Sequence, residues 1–148
     1  MTPRNLLFLP GNARYADVGL LLLRCATGLF LVYQSHDNVF SSARMDEFVK
    51  FLAQFHFVMP ELMAPLSVYA QFLAGIGFIL GLFTRWLGLI TAFNFIVALW
   101  MVDSLGPYNA WWPAGILIFL GLYFGFRGSG RYGLDAMLER RSADTSWG

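Results

Sequence analysis

The sequence predicts an all-α membrane protein, an antiparallel bundle of four transmembrane helices with a short amphipathic helix between the first two. Of its 148 residues, 57% are hydrophobic and only 13% are charged. Soluble domains are about 45–50% apolar and about 25% charged, so a bilayer is the solvent that suits this composition. Four segments also have the length and apolarity of spanning helices. The length of the chain indicates a single membrane domain over residues 1–148.

The four predicted spans are joined by short connections. They cover residues 18–35, 63–83, 86–102 and 111–126. The FTRW link between the second and third spans forces an antiparallel hairpin. Between the first two spans, Phe48, Phe51, Leu52 and Phe55 recur at helical spacing among charged residues. This pattern is typical of an amphipathic helix lying in the membrane interface, and we expect Pro60 to end it.

Arginine and lysine predict the orientation, because cytoplasmic loops of membrane proteins carry an excess of both. Seven arginines lie at one end of the bundle: Arg4, Arg14, Arg85, Arg127, Arg131, Arg140 and Arg141. The other end carries only Arg44 and Lys50. We therefore expect both termini in the cytoplasm and a cytoplasmic tail over residues 127–148. The expected location is a bacterial-type inner membrane. With a net charge of only +1, the chain lacks the excess of basic residues that nucleic-acid-binding proteins use, so we expect no nucleic-acid partner.

Small residues predict where the helices touch. One stripe runs along the second span through Ala70, Ala74, Gly77 and Gly81, spaced 4, 3 and 4. A second small pair, Gly121 and Gly125, lies on the fourth span. Small residues let helix backbones approach closely within a membrane. We therefore expect a compact bundle.

Three segments resemble the DoxX family of small four-helix membrane proteins. The opening LLLRCATGLF is similar to the family's Leu–Arg–x–x–x–Gly start and aligns Arg24 and Gly28 with it. The second span, QFLAGIGFILGLFTR, matches at Gly75, Gly81, Leu82, Thr84 and Arg85. The tail GSGRYGLDAML matches at Gly128, Gly130, Arg131, Tyr132, Leu134 and Asp135. The resemblance covers most of residues 18–139.

The chain departs from the family pattern at an acid and a base. The family's glutamate on the second span falls on Gln71, and its Gly…Lys pair falls on Ser35 and Asn38. Loss of both charged side chains is self-consistent if the glutamate and lysine positions face each other, because an ion left without its partner in a low-dielectric bundle is costly. Some members of the family are membrane subunits of quinone-linked redox systems such as thiosulfate–quinone oxidoreductase. The resemblance implies a role of that kind.

Arg24 places a charge inside the first span, where it needs a partner. It lies about 10 Å along the helix from Asp17 at 1.5 Å per residue. We expect its partner to be Asp135 of the tail or exposed helix-end carbonyls, with an anionic headgroup or a substrate acid group as the alternative. A structural role is assigned to Arg24, Arg85, Gly77, Gly81, Arg131 and Asp135.

The opposite ends of the spans carry polar side chains that could form a site. His36 and Asp37 end the first span and Asp103 ends the third, and these are the catalytic candidates. A histidine beside a carboxylate can carry a proton. An aromatic, partly apolar cavity with a few polar groups suits a quinone or a lipid. The candidate ligand-binding residues are Tyr33, Gln71, Asn94 and Tyr108. The alternative is that the polar residues mark a helix emerging into water.

A metal site is a further interpretation of the same residues. The available ligands are His36, His56, Asp37, Asp103 and Glu61. They have no recognised metal spacing, so we predict no metal site.

Two functions stay open. The first is an accessory or structural subunit of a larger membrane redox or energy-converting complex, with quinone or lipid at its outer side. Exposed aromatic residues (Phe93, Phe95 and Trp100) would offer a surface to partner proteins. The second is a self-contained membrane oxidoreductase or small-molecule-binding protein using His36 with Asp37 or Asp103. Membrane lipids are expected partners in both cases, and a quinone is the candidate cofactor.

Overall fold

The computed structural model describes residues 10–102 and 106–145, and every regular element within them is helical. A short 3-10 helix (Pro10–Tyr15) leads into the first of six α-helices. These are α1 (Ala16–Phe40), α2 (Ser42–Gln54), α3 (Pro60–Leu80), α4 (Thr84–Met101), α5 (Tyr108–Arg127) and α6 (Leu134–Thr145). Helices α1, α3, α4 and α5 are long and apolar enough to cross a membrane. The prediction of an all-α, four-span protein is confirmed.

Helix α1 is longer than the sequence pattern predicted, because it continues to Phe40 instead of ending near Ser35. No proline or glycine lies between Ser35 and Phe40, and polar residues alone do not stop a helix. The helix ends at Ser41, whose backbone is extended with φ −129° and ψ 115°. The Ser41 hydroxyl then accepts a hydrogen bond from the Arg44 backbone N–H at 3.4 Å, which begins α2. His36 therefore lies in the last turns of a continuous helix.

Helix α2 confirms the short amphipathic helix predicted between the first two spans. Leu52 is buried against the bundle, and α2 packs on both α1 and α3. The prediction for Pro60 was wrong, since α2 ends at Gln54 and Pro60 is the first residue of α3. Proline is favoured there because the first turn of a helix leaves its N–H groups without partners. Positive φ angles at His56 (57°) and Met59 (55°) turn the chain between the two helices.

Glycines bring the helices into two close pairs. A Cβ atom on Gly28 would lie 2.5 Å from the carbonyl oxygen of Gly75, so α1 and α3 touch through their backbones. A Cβ atom on Gly88 would lie 2.6 Å from the carbonyl oxygen of Gly121, so α4 and α5 do the same. Such contacts replace the hydrophobic effect as the source of helix association in lipid.

The small residues of the second span contact different neighbours. Gly75, which lies beside the stripe, makes the contact with α1. Gly77 instead faces the Leu87 side chain of α4, and Gly81 faces the guanidinium of Arg24. Successive turns of α3 therefore contact α1 through Gly75, α4 through Gly77, and Arg24 through Gly81.

The core lies where the two pairs of helices meet. The buried rings of Phe78 on α3 and Phe124 on α5 pack with centroids 4.9 Å apart. Phe95 is only 7% exposed and belongs to this core, so its prediction as partner surface was wrong. Phe93 and Trp100 are exposed, together with many other large apolar side chains. An apolar exterior of this extent suits lipid or a protein partner.

Candidate functional site

A cavity of about 540 Å³ lies between α2, α3 and α4, at the end of the bundle opposite the C-terminal tail. Most of its wall is apolar, with Phe48 and Phe51 of α2 and Phe57 of the following turn on one side. Four polar residues also line it: Gln34, Ser67, Gln71 and Asn94. We call this cavity, with these four residues, the amide pocket.

The four polar residues form one chain of hydrogen bonds across three helices. Gln34 Nε2 donates to Gln71 Oε1 at 2.5 Å. Gln71 Nε2 donates to Ser67 Oγ at 3.1 Å, and Ser67 Oγ donates to Asn94 Oδ1 at 2.7 Å. The chain ends on the carbonyl of Asn94, so the amide nitrogen of Asn94 remains a donor for a ligand.

The helix contacts explain why these residues meet. Ser67 and Gln71 are four residues apart on α3 and therefore share one face. The antiparallel contact of Gly28 with Gly75 brings Gln34 on α1 to the same side of the crossing as Gln71. The Asn38 amide, at the position of the family's lysine, donates to the Arg44 carbonyl at 3.1 Å, whereas Gln71 is hydrogen-bonded to Gln34 and Ser67.

Two of the four predicted ligand-binding residues lie on the pocket. Gln71 and Asn94 line it, whereas Tyr33 is 75% exposed and Tyr108 stacks on Trp112 at the helix end. The sequence reasoning did not select Gln34 or Ser67. The signal that could have found Ser67 is its four-residue spacing from Gln71 inside an otherwise apolar span.

The catalytic candidates His36 and Asp37 lie outside the amide pocket. His36 Nε2 is 2.9 Å from Asp37 Oδ1, and the His36 ring also contacts the Tyr33 carbonyl. Both side chains are substantially exposed, and neither lines the amide pocket. Asp103 lies outside the described residues. Within the part of the chain that the structure describes, no three histidine, cysteine or acidic side chains come together to hold a metal ion.

Comparison with known families identifies the chain. The DoxX family model matches residues 19–104, which is more than half of the chain. The chain belongs to the DoxX family. No curated protein and no solved structure matches it. Every residue that lines the amide pocket lies within the matched region of this DoxX protein.

Arg24 of this DoxX protein is 1% exposed and is held by the tail. Its Nη1 donates to the Ser129 carbonyl, and its Nη2 donates to the Tyr132 carbonyl at 3.5 Å. The sequence analysis expected Asp135 or helix-end carbonyls as partners; the carbonyls that bind Arg24 lie in the turn between α5 and α6. Gly81, with φ 69°, lies so close that a Cβ atom there would be 2.6 Å from Arg24 Nη1. A side chain at position 81 would therefore displace the guanidinium.

Asp135 has a different partner from the one expected. Its Oδ1 accepts from the Phe83 backbone N–H at 2.8 Å, and its Oδ2 accepts from the Thr84 N–H at 2.9 Å. Its own N–H donates to the Gly81 carbonyl at 2.9 Å. The carboxylate thus caps the start of α4, where unpaired N–H groups and the helix dipole favour an anion. Among the described residues Asp135 makes no direct ion pair with Arg24, and backbone carbonyls, the other expected partner, bind the guanidinium.

The remaining predicted structural residues divide between buried and exposed positions. Arg85 Nη1 donates to the Phe126 carbonyl at 2.7 Å and links the start of α4 to the end of α5. A Cβ atom on Gly77 would lie 2.0 Å from Leu87 Cδ1 and 3.0 Å from the Leu82 carbonyl oxygen, so a larger residue here would require the Leu87 side chain to move. Arg131 is exposed and makes no ion pair within the described residues.

We expect Asp135→Ala to destabilise the fold by about 1–2 kcal/mol, the usual cost of losing a helix cap. Asp135→Asn keeps one carbonyl oxygen as an acceptor and should cost less. Thermal unfolding of the detergent-solubilised protein measures both changes. If Asn were as damaging as Ala, the negative charge and not the cap geometry would be the source of stability.

Proposed function

We propose that this DoxX-family protein is an accessory membrane subunit of a redox or energy-converting complex, and that it binds a quinone in the amide pocket. The observation that carries the proposal is the chain of amides and a hydroxyl on the wall of an apolar cavity of about 540 Å³. Small-molecule pockets have volumes of about 300–1,000 Å³ and combine apolar walls with a few polar groups. A quinone ring suits the apolar walls, and a quinone carbonyl can accept from the Asn94 amide.

The lining of the pocket supports binding without catalysis. Among the described residues that line it, none is acidic or basic, and none is a histidine, a cysteine or a tyrosine. Reduction of a quinone to a quinol takes up two electrons and two protons, and enzymes deliver protons through titratable groups. The pocket can therefore hold and orient the quinone, while a partner subunit supplies electrons and protons. Phe93 lines the pocket and is also exposed on the outside of the bundle, so a partner subunit could approach the pocket there.

The arginine distribution supports an orientation for the pocket. Six of the seven arginines of the sequence analysis are described by the structure and lie at the end of the bundle where α1 begins and α6 packs, and the amide pocket lies at the other end. By the positive-inside rule this distribution supports cytoplasmic termini, with the pocket in the outer leaflet of the proposed inner membrane.

We expect Asn94→Leu and Gln71→Met to weaken quinone binding roughly three- to tenfold each, since a net hydrogen bond contributes about 0.5–1.5 kcal/mol. Both replacements keep the approximate volume of the side chain and remove its amide. The measurement is equilibrium binding of a short-chain ubiquinone to the detergent-solubilised protein. The matched control is Tyr33→Phe, because Tyr33 was also a ligand candidate but lies outside the pocket. Equal affinity in all four proteins would overturn the assignment of the pocket.

The accessory role has its own test. Native mass spectrometry of the full chain purified from its own membranes should show a second protein subunit at constant stoichiometry. If the protein purifies without a second subunit but its quinone affinity still depends on Asn94, the pocket assignment stands and the accessory role is wrong.

A self-contained oxidoreductase is the second candidate, and the His36–Asp37 contact of 2.9 Å favours it. The His36→Ala variant separates the two functions. The accessory subunit should keep its quinone affinity in this variant, whereas the self-contained enzyme should lose turnover.

A further inference from the structure

We propose that a second cavity, at the opposite end of the bundle from the amide pocket, binds the phosphate of an anionic lipid headgroup. It has a volume of about 750 Å³ and lies between the start of α4, the end of α5 and helix α6. Four arginines line it: Arg85, Arg127, Arg131 and Arg140. We call it the tail cavity.

Two of the three carboxylates in the tail cavity are already engaged. Asp17 Oδ1 lies 3.2 Å from Arg127 Nη2, and Asp135 accepts from two backbone N–H groups of the α4 start. Glu139 is the third carboxylate and is exposed. The cavity therefore keeps a surplus of positive charge over the negative charge that could oppose a phosphate.

Two guanidinium groups are available to a ligand. Within the described part of the chain, Arg131 and Arg140 are exposed and make no ion pair. They come from the turn before α6 and from α6 itself, and both border the same cavity. A guanidinium can donate two parallel hydrogen bonds to phosphate oxygens, which favours a phosphate group over a simple anion.

The rim of the cavity favours a lipid as the source of that phosphate. Trp86 is 70% exposed and Phe83 is also exposed, and both line the cavity at the start of α4. Tryptophan is enriched where the hydrocarbon meets the headgroups, so the exposed Trp86 supports a position of the cavity at the depth of lipid phosphates. Basic pockets at the cytoplasmic ends of spanning helices bind anionic headgroups. Free phosphate has no acyl chain to contact the two aromatic residues.

The test compares lipids that share acyl chains and differ in charge. The detergent-solubilised full chain is titrated with dioleoyl phosphatidylglycerol, with dioleoyl phosphatidylcholine and with inorganic phosphate. Arg131→Gln and Arg140→Gln should each weaken phosphatidylglycerol binding roughly fivefold, and Glu139→Gln should strengthen it. These side chains are exposed, so the variants should keep the melting temperature of the native protein.

The control is Arg44→Gln, an exposed arginine at the other end of the bundle. Equal binding of the two lipids, or equal loss in Arg44→Gln and Arg131→Gln, would overturn the proposal. Displacement of phosphatidylglycerol by millimolar inorganic phosphate would reassign the cavity to free phosphate. Asn94→Leu should leave phosphatidylglycerol binding unchanged, so the lipid proposal and the quinone proposal are tested independently.

Discussion

Replacing Arg24 with methionine should destabilise the protein by about 2–4 kcal/mol. The change removes the donors to the Ser129 and Tyr132 carbonyls, and each buried polar group left without a partner costs about 1–3 kcal/mol. Methionine fills much of the same space, so the loss would report the hydrogen bonds more than a cavity. Unfolding of the detergent-solubilised protein in a denaturing detergent measures the effect. The turn before α6 should also become sensitive to protease, because Arg24 holds it.

The matched control is Arg44→Met, which removes an arginine from the surface. Arg44 Nη1 is 3.1 Å from Glu47 Oε2, and exposed pairs of this kind contribute about 0–1 kcal/mol. Similar losses of stability in Arg24→Met and Arg44→Met would show that burial of Arg24 against the tail carbonyls does not stabilise the fold.

Gly28→Ala should destabilise the protein by about 1–3 kcal/mol through overpacking of the contact between α1 and α3. The added Cβ would lie 2.5 Å from the Gly75 carbonyl oxygen and 3.1 Å from the Ile79 backbone nitrogen. Backbone atoms cannot rotate away as a side chain can, so the two helices must separate. Gln34 and Gln71 join the same two helices, so the variant should also weaken quinone binding. Thermal unfolding and the ubiquinone titration measure the two effects.

Gly19→Ala is the control on the same helix. A Cβ atom at Gly19 meets nothing within 4 Å, so this variant should be as stable as the native protein or slightly more stable. Equal stability of the two alanine variants would contradict the close approach of α1 to α3. Loss of quinone binding in Gly19→Ala would show that the pocket responds to changes far from the helix contact.

The four spans and the amphipathic helix could be predicted because they depend on composition and period along the chain. A spanning helix needs about 20 apolar residues, and Leu52 with its neighbouring phenylalanines repeats at helical spacing. Helix ends were harder, since Pro60 is compatible with either ending one helix or starting the next. Local sequence left that choice open, and the positive φ angles at His56 and Met59 decided it.

The sequence by itself determined that this protein is helical and apolar, and that it carries a buried arginine and several amides needing partners. Only the tertiary structure decided which groups meet: Gln34 with Gln71, Ser67 with Asn94, and Asp135 with the start of α4. The physical reason is that many donors and acceptors along the chain could pair equally well. The rotation and crossing of the helices select among them, and these are fixed by backbone contacts such as Gly28 with Gly75.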